Sequence, residues 1–293
     1  MKIGVVGSIN VDYVLIVDEF VKPGETIKAK KLKKFPGGKG ANQAVAAAKL
    51  SRNRVSMIGL VGKDDDGEWM IKKLESAGVF GITKANDYTG KAFIEVISSG
   101  ENRIIIYSGA NAELTSDKLN MELLENADIV LLQNEIPFET TFEVARWARK
   151  RGKIVIFDPA PAQGVNIEIL KYVDYITPNE SEIKTLSETF FGKFESTERA
   201  AGLLIETGAR SVIAKLGENG VYFRRGLKEV RIPAVKVKAV DTTAAGDVFN
   251  GAFAAFLEKG EMEALRLAVK AAAISVTRIG AQSSIPDLEE VME

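Results

Sequence analysis

The chain has 293 residues, 46% of them hydrophobic, enough to bury the core of one large α/β domain or of one domain with a small appendage. Its net charge is −1 with acids and bases interspersed, so no charged tract suggests a nucleic acid or an anionic membrane as partner. Cysteine and histidine are both absent, which excludes a thiol nucleophile, a disulfide framework, a Cys/His zinc site and a Ser-His-Asp triad.

Chemistry must then rest on carboxylates, Lys, Arg, hydroxyls and backbone, with an Asp or Glu as the proton acceptor near neutral pH. Met1-Lys2 leads straight into a strand-like run, with no charged-then-apolar leader. Apolar stretches such as Ala252 to Leu257 are far shorter than the roughly 20 residues of a membrane helix. The expectation is a soluble, cytoplasmic protein.

The first strand, Ile3 to Val6, is followed by Gly7-Ser8-Ile9-Asn10-Val11-Asp12. Ligands of open α/β sheets bind beyond the carboxyl ends of strands, where Asn10 and Asp12 would stand; an Asx turn is the alternative. The segment lacks G-x-G-x-x-G, which argues against a dinucleotide fold. Val11 to Lys34 reads as strand, Pro-Gly turn (Lys22 to Glu25), strand.

Pro36 to Gln43 is a glycine cluster that enters an alanine-rich helix, Ala44 to Leu50. A Walker-type loop would need Ser or Thr after Lys39, but Gly40 is there; Lys39 and Asn42 on a glycine backbone suit the hydroxyls of a small polyol. A strand at Val55 to Leu60 and a helix at Glu68 to Ala77 follow, then a second hairpin-like unit from Lys91 to Tyr107. The two hairpins predict either a small separate sheet or an extension of the main sheet's edge.

Further apolar runs at Ile129 to Leu132, Ile154 to Phe157, Tyr175-Ile176 and Val212 to Ala214 alternate with helices at Thr140 to Lys150 and Thr197 to Glu206. Strands apolar on both faces and spaced by crossover helices predict a doubly wound, mostly parallel sheet. Thr177 to Glu182 leaves one strand for a helix over Glu182 to Leu186 and reads locally as a capping sequence. Lys215 to Gly220 reads as a hairpin turn that could approach a nucleotide.

A strand-like run, Ile232 to Val240, leads into Asp241-Thr242-Thr243-Ala244-Ala245-Gly246-Asp247 and a helix from Ala244 to Glu258. Lys259-Gly260 reads as its stop, before a second helix over Glu261 to Thr277. The first turn of a helix offers unpaired N–H groups and a positive dipole end to phosphate, and the small residues Ala244, Ala245 and Gly246 let it approach. Asp247 beside them is either an acid favoured by the dipole or a base acting on a hydroxyl about to attack a phosphoryl group.

Gly37 to Ala44 and Asp241 to Asp247, in that order and separation, resemble the two signatures of the ribokinase-like (PfkB) carbohydrate kinases, and the resemblance covers essentially the whole chain. Asn10-Val11-Asp12, Asn42-Gln43, Asp158 to Ala162 and Phe249-Asn250-Gly251 lean toward the members that phosphorylate the 5-hydroxyl of ribose with ATP. The resemblance implies sugar contacts at Asn10, Asp12, Gly38, Lys39, Asn42 and Glu135, a base at Asp247, and an anion hole at the amides of Ala244, Ala245 and Gly246. It further implies nucleotide contacts at Asn179, Lys215, Leu216, Gly217, Glu218, Asn219 and Gly220, with Glu182 holding Mg2+ through water.

An activating K+ would fall on Asp241, Thr243, Ser275, Arg278, Gly280 and Ser284, several through backbone carbonyls. The hairpins at 11–34 and 91–107 would form a lid on a single domain spanning 1–293, and the lid would make a homodimer interface. Lys215, where relatives often carry Thr, and Val269, at a position polar in some relatives, depart from the pattern.

Overall fold

The computed structural model describes all residues, 1–293. The chain opens with β1 (Ile3–Val6), β2 (Asn10–Ile16) and β3 (Lys31–Gly37), then α1 (Lys39–Ser51), β4 (Val55–Ile58), β5 (Leu60–Val61) and α2 (Asp65–Ser76). Strands β6 (Val79–Phe80), β7 (Thr83–Lys84), β8 (Gly90–Val96) and β9 (Asn102–Tyr107) precede α3 (Glu122–Glu125), β10 (Ile129–Leu132), α4 (Phe138–Lys150) and β11 (Ile154–Phe157). The second half carries β12 (Tyr175–Ile176), α5 (Glu180–Phe191), α6 (Thr197–Thr207), β13 (Val212–Lys215), β14 (Val221–Arg225), β15 (Lys228–Ile232), α7 (Ala245–Phe256), α8 (Glu261–Ser275) and α9 (Leu288–Met292).

Nine strands form the main sheet in the order β15-β14-β13-β12-β11-β10-β1-β4-β6. All pairs from β6 to β13 are parallel; β14 and β15 add an antiparallel edge. Strands β1, β4 and β10 are buried on both faces, as their unbroken apolar runs require. Alternate residues feed two cores: Val5, Ile129 and Leu131 join α1, α7 and α8, while Val6, Val130 and Leu132 join α4, α5 and α6.

Strand order turns at β1, which pairs with β4 on one side and β10 on the other. A crevice opens at such a point beyond the strand carboxyl ends, and Asn10 and Asp12 lie just past that end of β1. A separate four-stranded sheet, β3-β2-β8-β9, carries both hairpin-like units, so they do not extend the main sheet's edge. Asn10 opposes both Gly37 and Gly90, which roots this small sheet in the crevice.

Several boundaries differ from the sequence expectations. The strand expected over Ile232 to Val240 does not form: β15 ends at Ile232, because Pro233 removes a ladder donor, and 233–240 leaves the sheet as irregular chain. The run over Val55 to Leu60 is split at Gly59 into β4 and β5, which belong to different sheets. Helix α1 starts at Lys39, five residues before Ala44, and α5 runs from Glu180 to Phe191, well past Leu186. Ala244 caps α7 in the left-handed region (φ 59°) instead of opening it, and α7 ends at Phe256 with a short 3-10 turn before Gly260.

Candidate active site

Helices α1 and α7 converge because Gly251 has no side chain: a Cβ there would lie 2.5 Å from the Ala46 Cβ and 2.7 Å from the Gln43 carbonyl oxygen. That contact carries two amides of α1 to the first turn of α7. Asn42 Nδ2 donates to Asp247 Oδ2 at 3.0 Å, and Gln43 Nε2 donates to Asp247 Oδ1 at 3.1 Å. Asp247 is therefore pinned through both oxygens, and each keeps lone pairs free to accept a proton.

The pins are themselves held. Gln133 Nε2 donates to Gln43 Oε1 at 2.8 Å, which fixes the Gln43 nitrogen toward the carboxylates, and Gln282 Nε2 donates to Asn42 Oδ1 at 3.2 Å. Gln43 Nε2 also reaches Asp158 Oδ2 at 3.0 Å. Burial pushes the Asp247 carboxyl above its ordinary range; Asp158 pushes the same way, against the opposing pull of Lys39 and the two amides. A carboxylate so raised is a better proton acceptor than an exposed one.

The N-terminus of α7 has no side-chain cap, and the amides of Gly246 and Asp247 have no earlier helical turn to bond. Ala244 is one of only two non-glycine residues with positive φ, a conformation that costs on the order of 1 kcal/mol, and it lines the cleft with Ala245 and Gly246. Lys39 lies in the first turn of α1, with its ammonium among carboxylates. Burial alone would lower its pKa, but Asp247, Glu135, Asp158 and Glu182 together hold it above its ordinary value. Gly38, before it, takes φ 90°, and a Cβ there would lie 2.6 Å from the Asn10 nitrogen.

A cleft of about 1230 Å³ runs from Lys39 and Asp247 past the α7 N-terminus. Asp158, Asn179, Glu182 and Lys215 are among its polar lining residues and Val235, Val237, Val269 and Val276 among its apolar ones. Gly217, Glu218, Asn219, Gly220, Ala244, Ala245 and Gly246 also line it. Leu216 is the exception in its loop: its side chain packs in the core, its N–H donates to the Gly220 carbonyl, and its own carbonyl accepts from Asn219.

Asn10, Asp12, Gly38, Asn42 and Glu135 are not in that wall; they adjoin it through Lys39 and Asp247. Asn111 Nδ2 donates to Asn10 Oδ1 at 2.7 Å, and Glu135 Oε2 accepts from the Ser8 hydroxyl at 2.6 Å and the Lys39 amide at 3.1 Å. Burial, with Glu135 and Asp247 nearby, pushes the Asp12 carboxyl up to about 7. Asn111, Gln43, Gln133, Gln282 and Asp158 were not singled out as site residues from the sequence. Their partners lie from 90 to 240 positions away along the chain, beyond any local signal.

Asn179 and Glu182 form a capping box on α5: each accepts from the other's backbone amide at 2.8 Å, as the local reading expects. Glu182 nevertheless faces the cleft, its carboxyl raised by burial and Asp158 against the pull of Lys215. Glu182 would hold Mg2+ through water, as suits an ion that keeps most of its waters, and the ion would neutralise phosphate charge, so the residues present fit it. No group of three acidic side chains is assembled that could hold a metal unaided.

Asp241 accepts from the amides of Thr243 at 2.9 Å and Gly280 at 2.8 Å, joining those two loops. The hydroxyls of Ser275 and Ser284 donate to carbonyls of their own turns, and Arg278 pairs with Glu290. With the Asp241 carboxylate, the carbonyls of these turns would offer an all-oxygen set of the kind a hard cation takes.

The chain matches the description "pfkB family carbohydrate kinase" over residues 1–288. It is 41% identical over 296 residues to a ribokinase of Haemophilus influenzae, covering 99% of this chain and 96% of that one. Among solved structures, a ribokinase from Thermotoga maritima is 54% identical with a TM-score of 0.96, covering 99% of this chain and 98% of that one. An Arabidopsis thaliana ribokinase complexed with ribose and ATP is 35% identical with a TM-score of 0.89, covering 99% of this chain and 97% of that one. A cleft with a pinned carboxylate beside an open helix N-terminus is what a sugar-phosphorylating enzyme needs, and the chain belongs to the pfkB family of carbohydrate kinases.

Proposed function

We propose that this protein is a ribokinase: it transfers the γ-phosphoryl group of ATP to the 5-hydroxyl of D-ribose, giving ribose 5-phosphate and ADP. The carrying observation is Asp247, held by Asn42 and Gln43 beside the uncapped N-terminus of α7. The full-length likeness to ribokinases supports the substrate.

Asn10, Asp12, Gly38, Lys39, Asn42 and Glu135 bind the sugar and aim its 5-hydroxyl at Asp247. The hydroxyl oxygen attacks the γ-phosphorus, the proton passes to Asp247, and the bond to the ADP oxygen breaks. Negative charge on the phosphoryl oxygens is met by the first-turn amides of Gly246 and Asp247 and by Lys39, donors already in place before the reaction, whereas the Ala245 N–H expected to join them donates to the Thr242 carbonyl at 3.3 Å. The apolar valines of the cleft take the adenine, with Asn179 and the 215–220 loop beside it. Mg2+, held through water by Glu182, neutralises phosphate charge when bound.

The small sheet acts as a lid: its strands start and end at the sugar-binding residues, so sugar binding and closure share the same backbone. Its edge strand β9 exposes Ile104, Ile105 and Ile106, and a second copy of the chain covers them in a homodimer. K+ binds by the Asp241 and Gly280 loops and activates, and the site of action is the cytoplasm, where ATP is supplied. No helix is long and apolar enough to cross a membrane.

A coupled assay of ADP release tests the reading, run over ribose, 2-deoxyribose, fructose, a keto-deoxy sugar acid and a nucleoside, with and without K+. Ribose should give the highest kcat/KM and K+ should raise it. Preference for another member of the panel would overturn the assignment of ribose while leaving the kinase chemistry intact.

A further inference from the structure

Lys215 ends β13 at the cleft, where the reading above counts it only as part of the nucleotide-contacting loop and gives its charge no task. Its ammonium lies 2.9 Å from Asp158 Oδ1, with side-chain exposures of 12% and 2% for the two residues. An ammonium has three donors, and no other protein acceptor reaches this one. The nitrogen lies beside the first turn of α7: a Cβ on Gly246 would be 3.2 Å from Lys215 Nζ. A nearly buried cation with one partner, set beside free helix amides, is poised for an anion that the ligand-free chain does not supply.

The other end of the pair is equally constrained. Asp158 Oδ2 accepts from Gln43 Nε2, the same nitrogen that donates to Asp247 Oδ1. Ammonium, Asp158, Gln43 and Asp247 thus form one chain of contacts from the anion-hole side of the cleft to the proposed base. Asp158, Asp247 and Glu182 line the cleft, and Lys39 and Lys215 are the cations whose charge acts on them. An incoming polyphosphate is repelled by those carboxylates wherever an ammonium does not shield it.

We infer that Lys215 is a second phosphoryl-contacting cation, acting with Lys39: Asp158 holds its ammonium over the α7 N-terminus, where it bonds the oxygens of the group in transfer. The inference rests on the kinase reading and adds a catalytic residue to it. Asp158 is a positioning residue that keeps the ammonium aimed.

The test compares Lys215→Met, Asp158→Asn and the double variant Lys215→Met/Asp158→Asn with the unaltered chain, by steady-state kinetics and by equilibrium binding of ADP and of a non-hydrolysable ATP analogue. Lys215→Met leaves a buried carboxylate unpaired and is at risk of misfolding; the double variant removes both charges and carries the test if it does. The double variant should retain a ribose KM within about 3-fold while kcat falls by about 10²-fold, the scale for loss of one preorganised donor. It should also bind the ATP analogue more weakly with ADP affinity little changed.

A double variant with kcat restored to within about 3-fold would overturn the inference, since Lys215 would then serve only to neutralise Asp158. Equal losses of ADP and analogue binding with normal kcat would overturn it too, placing the ammonium on phosphates that do not move. Absence of sugar phosphorylation by the unaltered chain would instead overturn the kinase reading and this inference with it.

Discussion

Asp12 illustrates what the site costs the fold. Its ionised form is disfavoured by burial beside Glu135 and Asp247, so its carboxyl rises from an ordinary 3.8 to about 7. A group raised on folding favours the folded state fully below its unfolded pKa, and that contribution is lost as pH climbs through the folded pKa. Stability of the ligand-free enzyme should therefore fall between about pH 4 and pH 7. A gap of about 3 units at ~1.4 kcal/mol each puts the loss on the order of 4 kcal/mol. Asp12→Asn is expected to stabilise the ligand-free protein more at pH 8 than at pH 5, while ribose turnover drops. Denaturant unfolding at the two pH values checks this; an equal shift at both would contradict the assignment.

Gln43 makes a second prediction at this scale. Gln43→Leu keeps the helix and the bulk but removes the donor shared by Asp247 and Asp158, so kcat should fall by about 10-fold or more with a smaller change in ribose KM. Steady-state kinetics measure both, and a change confined to KM would contradict a role in holding the base. Asp247 and Lys39, on glycine-rich helix entries, stood out in the sequence as candidates because a helix N-terminus and its small neighbours form a local pattern. Gln43, Gln133 and Asn111 were not, because a buried amide gains meaning only from partners brought to it by the fold.

Among elements, the strands apolar on both faces and the two interrupting hairpins were readable from the chain, and they give the main sheet and the small one. The run after Ile232 was misread because Val235, Val237 and Ala239 alternate with lysines as in a strand; Val235 and Val237 are exposed, and Ala234, Val235, Lys236, Val237 and Ala239 line the cleft instead. The edge strand β9 is the element with the clearest unmet need. All six of its residues are exposed and three are consecutive isoleucines. On the proposed pairing of two copies through β9, analytical ultracentrifugation should find the unaltered chain dimeric and Ile105→Lys monomeric, with the fold intact by circular dichroism. A variant that stays dimeric would place the contact between copies elsewhere.

Across the whole molecule, one polar network spans the crevice. Asn10 is set by Asn111 and Glu135 fixes the Lys39 amide, while Asn42 and Gln43 of α1 hold Asp247 of α7 and Gln43 extends to the carboxylate that pairs with Lys215. The parts come from elements spread along the chain, and the turn in strand order at β1 is what gathers them. The decisive measurement is phosphorylation of ribose by the unaltered chain and by Asp247→Asn, followed as ADP release with ATP binding measured alongside. The unaltered chain should turn over ribose, and Asp247→Asn should lose about 10³-fold in kcat with ATP affinity nearly unchanged, as removal of a general base predicts. Near-normal turnover by Asp247→Asn would contradict its assignment as the base.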